Sequence, residues 1–134
     1  MKLSFIIIDD RELDCYIAEK IIQKTGLSTD NKIFYDAFSG LNFIKNTPVT
    51  DSIIIVLLDI MMPVMNGFQF MEAFEKLPEE IKNNYRIVAI TTSLNKNDIS
   101  EISSYKSVIG VLKKPYPSEA LVKVLQIITG DLGQ

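Results

Sequence analysis

Six apolar residues in a row, Ile53-Ile54-Ile55-Val56-Leu57-Leu58, run straight into Asp59 and then into Ile60-Met61-Met62-Pro63-Val64-Met65-Asn66-Gly67. The run is too short to span a bilayer, and four of its six residues are β-branched. Such a run predicts a strand buried on both faces, as in the middle of a parallel sheet. The Asp59 carboxylate then emerges where the strand stops. Pro63 fixes one φ in the loop beyond it, and Gly67 is expected to supply a positive φ. In open α/β sheets this carboxyl edge is where ligands bind.

The rest of the chain frames that strand. A first strand is expected over Leu3–Ile8, ending in the acid pair Asp9-Asp10. A helix begins at Arg11, with Leu13, Ile17, Ile21 and Ile22 as its apolar face and Gly26 as its stop. Residues 32–35 read as a short second strand, and 39–46 as a helix with Leu41, Phe43 and Ile44 as its apolar positions. After the central strand, Phe68, Met71 and Phe74 open a third helix that Pro78 ends or restarts, with a short helical extension over 79–85. The fourth strand, 86–90, closes with Thr91-Thr92-Ser93, and a weakly amphipathic helix covers about 97–105. Residues 108–112 form the fifth strand, ending in Lys113-Lys114-Pro115. Pro117 suits the first turn of a last helix through Ala120, Leu121, Val124, Leu125 and Ile128, with Gly130 as its stop. Five alternations of strand and helix predict an α/β, flavodoxin-like (βα)5 doubly wound parallel sheet of strand order 2-1-3-4-5. Strands 1, 3, 4 and 5 then bring their carboxyl ends together.

Composition narrows the function classes. With 134 residues and a hydrophobic fraction of 47%, residues 1–134 are expected to form one domain with a real core. A net charge of −3 without a basic stripe argues against nucleic-acid binding. The apolar start is short, lacks a small-residue cleavage site and runs into Asp9-Asp10. This predicts a cytoplasmic protein with no membrane partner. Cys15 has no second cysteine to pair with and belongs to no metal spacing, so a core position is expected. No histidine is present, which excludes a phosphohistidine on this chain and any Ser-His or Cys-His base.

At the four converging strand ends stand Asp9 and Asp10, Asp59, Thr91 and Lys114. Carboxylates this close raise each other's pKa unless something offsets them. Magnesium, which takes carboxylates, waters and a phosphate oxygen, suits the set, whereas zinc would want histidine or cysteine. With a cation in place the remaining parts match phosphoryl transfer. Asp59 is the best-placed nucleophile, and Lys114 and the Thr91 hydroxyl can each meet a phosphoryl oxygen.

These residues resemble the receiver domain of bacterial response regulators. The resemblance rests on Ile8-Asp9-Asp10, on residues 58–67, on Thr91 and on Lys114-Pro115, and it covers essentially the whole chain. It implies that Asp59 is the phosphoacceptor and that Asp10 and Asp59 ligate Mg2+. Met61 would add its backbone carbonyl, and Asp9 would act mainly through bound water. It implies further that Thr91 is the switch hydroxyl, that Lys114 binds the phosphoryl group and that the Lys114-Pro115 bond is cis. The partners implied are a sensor histidine kinase or a histidine phosphotransfer protein upstream, and a downstream protein target. A chain made of this domain alone resembles the single-domain chemotaxis or phosphorelay members.

Two positions depart from the family. Val111 stands where an aromatic residue is common, three residues before the lysine, and Thr92 stands where a small residue usually follows the switch threonine. Val111 has one stiff χ angle and no ring. Activation is therefore expected to act through the backbone of residues 91–97, and Thr92 is expected to crowd the phosphoryl group. A phosphorylation-incompetent pseudo-receiver is the alternative, but a docking module has no need of clustered carboxylates. A haloacid-dehalogenase-like phosphatase needs an acid where Met61 stands, and a flavodoxin-like cofactor carrier needs a phosphate-cradling loop where Asp9-Asp10 stands.

Overall fold

Parallel pairing of the apolar runs builds one sheet in the order β2-β1-β3-β4-β5, as the alternation predicts. The structure, a computed structural model, describes residues 3–48, 50–93 and 95–132. Its elements are β1 (Leu3–Ile8), α1 (Glu12–Thr25), β2 (Ser28–Phe34), α2 (Ala37–Asn46), β3 (Ile54–Asp59) and α3 (Gly67–Glu75). There follow α4 (Glu79–Lys82), β4 (Tyr85–Thr91), α5 (Lys96–Ser103), β5 (Val108–Lys113) and α6 (Ser118–Leu132). Among the described residues no helix is long and apolar enough to cross a membrane.

The period-two geometry of the strands explains why β1, β3 and β4 carry apolar residues at both odd and even positions through their middles. Ile6, Ile8, Val56, Leu58, Ile87 and Ala89 bury themselves on one face, among Ile44 of α2, Phe70 and Phe74 of α3 and Ile102 of α5. Phe5, Ile7, Ile55, Leu57, Val88 and Ile90 do so on the other, against Cys15 and Ile22 of α1 and Leu121 and Leu125 of α6. Ile8 pairs with Leu58, so Asp9 and Asp59 are the next residues of adjacent strands. Both continue the odd-numbered set that faces α1 and α6.

Four expectations change, besides the helical extension over 79–85, which stops at Lys82 with the buried Tyr85 opening β4. β2 begins at Ser28 rather than 32 and stops before Tyr35. It is an edge strand with no fully buried residue, so its polar first half shows no alternation and is set by pairing with β1. On α1, Leu13 and Ile17 are not core: they are 68% and 45% exposed, and the buried stripe is Cys15, Ala18 and Ile22. One helix face cannot bury so wide an apolar arc, and the stripe at 15, 18 and 22 is the part that lies against the sheet. Gly130 does not end α6, which continues to Leu132. An isolated glycine costs a helix only about 1 kcal/mol relative to alanine.

The fourth concerns Gly67, which is not needed for a positive φ. A Cβ there would lie 2.5 Å from the Ile60 Cα, so glycine lets the start of α3 press against the strand exit. The positive φ, 68°, falls on Val64 instead. Gly26 does take the left-handed conformation at the end of α1, and Cys15 is buried, both as expected.

Candidate functional site

Each functional side chain at the carboxyl edge is delivered by a strand end. Asp59 is the last residue of β3 and is 5% exposed. Its Oδ1 accepts the Met61 N–H at 3.1 Å, which fixes the carboxylate plane across the exit of the strand. Asp9 follows β1, is equally buried, and accepts the Arg11 N–H on Oδ1 at 3.0 Å. Asp10, next in the chain, is exposed. Asp9, Asp10 and Asp59 each offer a carboxylate oxygen, and these oxygens lie within 4.8 Å of one another. The three-carboxylate cluster expected from the sequence is therefore assembled. An all-oxygen set of this kind fits a hard cation such as magnesium.

Lys114 closes the cluster from β5. Its Nζ donates to Asp9 Oδ2 at 2.7 Å and lies 3.6 Å from Asp59 Oδ2. Its backbone N–H donates to the Thr91 carbonyl at 2.8 Å, and the Lys114-Pro115 bond is cis, as the resemblance implies. Thr91 ends β4 and is 1% exposed, its hydroxyl accepting the Ser93 N–H at 2.9 Å. β4 and β5 are in register here, with Thr91 opposite Lys113. The hydroxyl and the ammonium thus come from neighbouring strand ends. Val111 is half-buried and packs on the face shared with α2, α3 and α5. Leu94, within the 91–97 segment expected to carry activation, lies outside the described residues.

The electrostatics follow from burial. Desolvation pushes the Asp59 carboxyl from 3.8 to about 6, and the nearby Asp9 adds to the rise, against the Met61 N–H and Lys114, which lower it. Lys114 does not cancel the rise because its shortest contacts go elsewhere. Burial alone would lower the lysine's pKa, but hydrogen bonds to Asp9 and Asp14, with Asp59 nearby, hold it above its ordinary value. The Cys15 thiol is pushed up to about 12, mainly by burial and then by Asp9, so it behaves as a small core residue.

Asp14 is the residue that sequence reasoning missed. From the first turn of α1 its Oδ2 accepts from Lys114 Nζ at 2.9 Å. Its only signal was an acid shortly after the acid pair, and the helix macrodipole gives such an acid an ordinary explanation. Beside the cluster a cavity of about 270 Å³ runs under α1, with Ile17, Ile21 and Tyr116 among its apolar walls. Thr92 lines this cavity together with Asp59 and Lys114, so its extra bulk does stand next to the acid cluster.

Comparison with known proteins gives a consistent family. The model of the response regulator receiver domain matches residues 5–126. A response regulator receiver protein of Dyadobacter fermentans has a TM-score of 0.84 and 29% identity, over 93% of this chain and 96% of its own. The receiver domain of a sensor histidine kinase from Pseudomonas aeruginosa, solved with a magnesium ion coordinated in its active-site cleft, has a TM-score of 0.76. It is 17% identical over 97% of this chain and 99% of its own, a likeness of fold. Hybrid signal transduction histidine kinase G of Dictyostelium discoideum is 28% identical over 75% of this chain. The match spans 3% of that kinase's length.

Proposed function

The chain belongs to the response regulator receiver domain family of two-component and phosphorelay systems, and on that premise we propose that Asp59 is its phosphoacceptor. The observation that carries this reading is a 5% exposed carboxylate at the end of the central strand, with two further carboxylates within 4.8 Å and an ammonium at 3.6 Å. A structural role for so costly a cluster would be better served by apolar side chains.

In the transfer, an Asp59 carboxylate oxygen attacks phosphorus and forms a new P–O bond. The P–N bond to a donor histidine breaks, and the imidazole nitrogen keeps the electron pair and is then protonated. With its pKa at about 6, Asp59 is still ionised at neutral pH and can attack. The Met61 N–H holds Oδ1 and so limits rotation of the nucleophile. Lys114 meets the transferring group as a mobile point charge, and the Thr91 hydroxyl turns from Ser93 to a phosphoryl oxygen. Asp10, Asp59 and the Met61 carbonyl would hold magnesium, with Asp9 acting through water. Bound magnesium would supply positive charge against the carboxylates and the equatorial phosphoryl oxygens. The upstream partner is a sensor histidine kinase or a histidine phosphotransfer protein, and the output is altered binding to a downstream protein. No external substrate is turned over.

Intact-mass spectrometry after incubation with acetyl phosphate and magnesium tests the reading. One added phosphoryl group is expected, and it is lost in Asp59→Asn or with a chelator. Unchanged labelling of Asp59→Asn would overturn the assignment, and no labelling of wild type would favour a pseudo-receiver.

A further inference from the structure

Asp14 is a carboxylate for which the cation cluster has no use. It stands in the first turn of α1, outside the Asp9, Asp10 and Asp59 group. Yet its Oδ2 is 2.9 Å from Lys114 Nζ, against 3.6 Å for the phosphoacceptor candidate. An ammonium has three N–H donors. Two of them make hydrogen bonds, to Asp9 and Asp14, whereas Asp59, at 3.6 Å, has only a longer ion pair with the ammonium. Both partners of the Lys114–Asp14 pair are half-buried, where a change of charge is felt more strongly than on an open surface.

Resting on the reading of Asp59 as phosphoacceptor, we propose that Asp14 is a positioning residue that draws Lys114 toward α1 and sets how its charge is shared between the carboxylate cluster and an incoming phosphoryl group. Two opposed consequences follow. Before phosphorylation, the pull of Asp14 leaves Asp59 less neutralised, and the added negative charge favours a bound cation. After phosphorylation, the same carboxylate competes with the phosphoryl oxygens for the ammonium and repels their charge. Asp14 therefore strengthens magnesium binding and weakens the phosphorylated state. A merely structural role on α1 would move both in one direction.

Calorimetry on wild type and Asp14→Asn separates these cases, first with magnesium chloride alone and then with beryllofluoride at saturating magnesium. The variant should bind magnesium about threefold more weakly and beryllofluoride about tenfold more tightly, as expected for one charge removed at a half-buried site. Asp14→Glu should return both affinities toward wild type. Equal affinities, or two changes of the same sign, would overturn the proposal. Should Asp14→Asn fold poorly, carbon-13 NMR of wild type provides the second readout. The Asp14 carboxyl and Lys114 Cε resonances should shift together on beryllofluoride addition, and an unmoved Asp14 carboxyl would overturn the proposal. Wild type that binds no beryllofluoride would remove the phosphoacceptor reading and the role of Asp14 with it. Wild-type binding with an unaltered Asp14→Asn would remove the role of Asp14 alone.

Discussion

β3 is buried from Ile55 to Asp59, whereas β5, at the edge of the sheet, is half-buried until Leu112. Both end at the site, and each hands over its functional group in its own way. β3 places Asp59 directly, with a short side chain held by the Met61 N–H at the end of a strand packed on both faces. β5 places Lys114 at a distance, by a long flexible side chain whose tip is held by Asp9 and Asp14. The buried centre thus locates a group by packing, and the edge locates one by charge. The first arrangement raises the pKa of its group through desolvation, and the second leaves a group that can be redirected by a change of neighbouring charge.

The largest test of that contrast is stability on truncation. Leu58, fully buried in β3, should cost about 2–5 kcal/mol when changed to alanine. Val111 in β5 is half-buried, and its change to alanine should cost about 1 kcal/mol. Urea unfolding measures both, and equal losses would break the distinction between centre and edge.

Next comes pH. Asp59 sits at about 6 in the fold against an ordinary 3.8. Between those values the unfolded chain has released a proton that the folded chain keeps. The group's contribution is therefore full below about pH 4 and is lost as pH rises through about 6, a change of about 3 kcal/mol in the metal-free protein. Wild type minus Asp59→Asn, followed by unfolding in chelator, should show that decline. A difference that stays flat across the window would mean that the buried end of β3 does not strain its carboxylate.

Magnesium should reverse part of this strain. At ten times its dissociation constant a ligand that binds only the folded state stabilises by about 1.4 kcal/mol. Asp10→Ala should lose most of the corresponding thermal shift, while its metal-free form should be no less stable than wild type. An undiminished shift in Asp10→Ala would remove Asp10 from the cation site. The smallest effect belongs to the loop beyond β3, where Val64 is fully exposed at φ 68°. A β-branched residue is strained there, so Val64→Gly should stabilise by about 1 kcal/mol. A loss of stability would show that the valine makes a contact that offsets its backbone.

The contrast between centre and edge also explains what could be read in advance. The run ending in Asp59 admitted one structural solution, because continuous burial and period-two geometry leave little else for six apolar residues. The converging set of Asp9, Asp10, Asp59, Thr91 and Lys114 followed once the strand order was fixed. β2 was harder, since an edge strand is selected by pairing and its residues need not alternate. Leu13 and Ile17 misled because apolar spacing shows that a helix has an apolar arc without showing which part of it meets the sheet. Asp14 was illegible for a different reason. Its partner Lys114 is 100 residues away, and only the folded chain shows which of several acids a long lysine reaches.

The central claim, that the buried end of β3 provides the acceptor, is tested most directly by locating the phosphoryl group. Borohydride reduction of the acetyl phosphate-treated protein converts an aspartyl phosphate to homoserine, which peptide mass spectrometry reads residue by residue. Homoserine at position 59, with Asp9, Asp10 and Asp14 intact, is the result expected. Homoserine at Asp9 or Asp10 with Asp59 unreacted would contradict it.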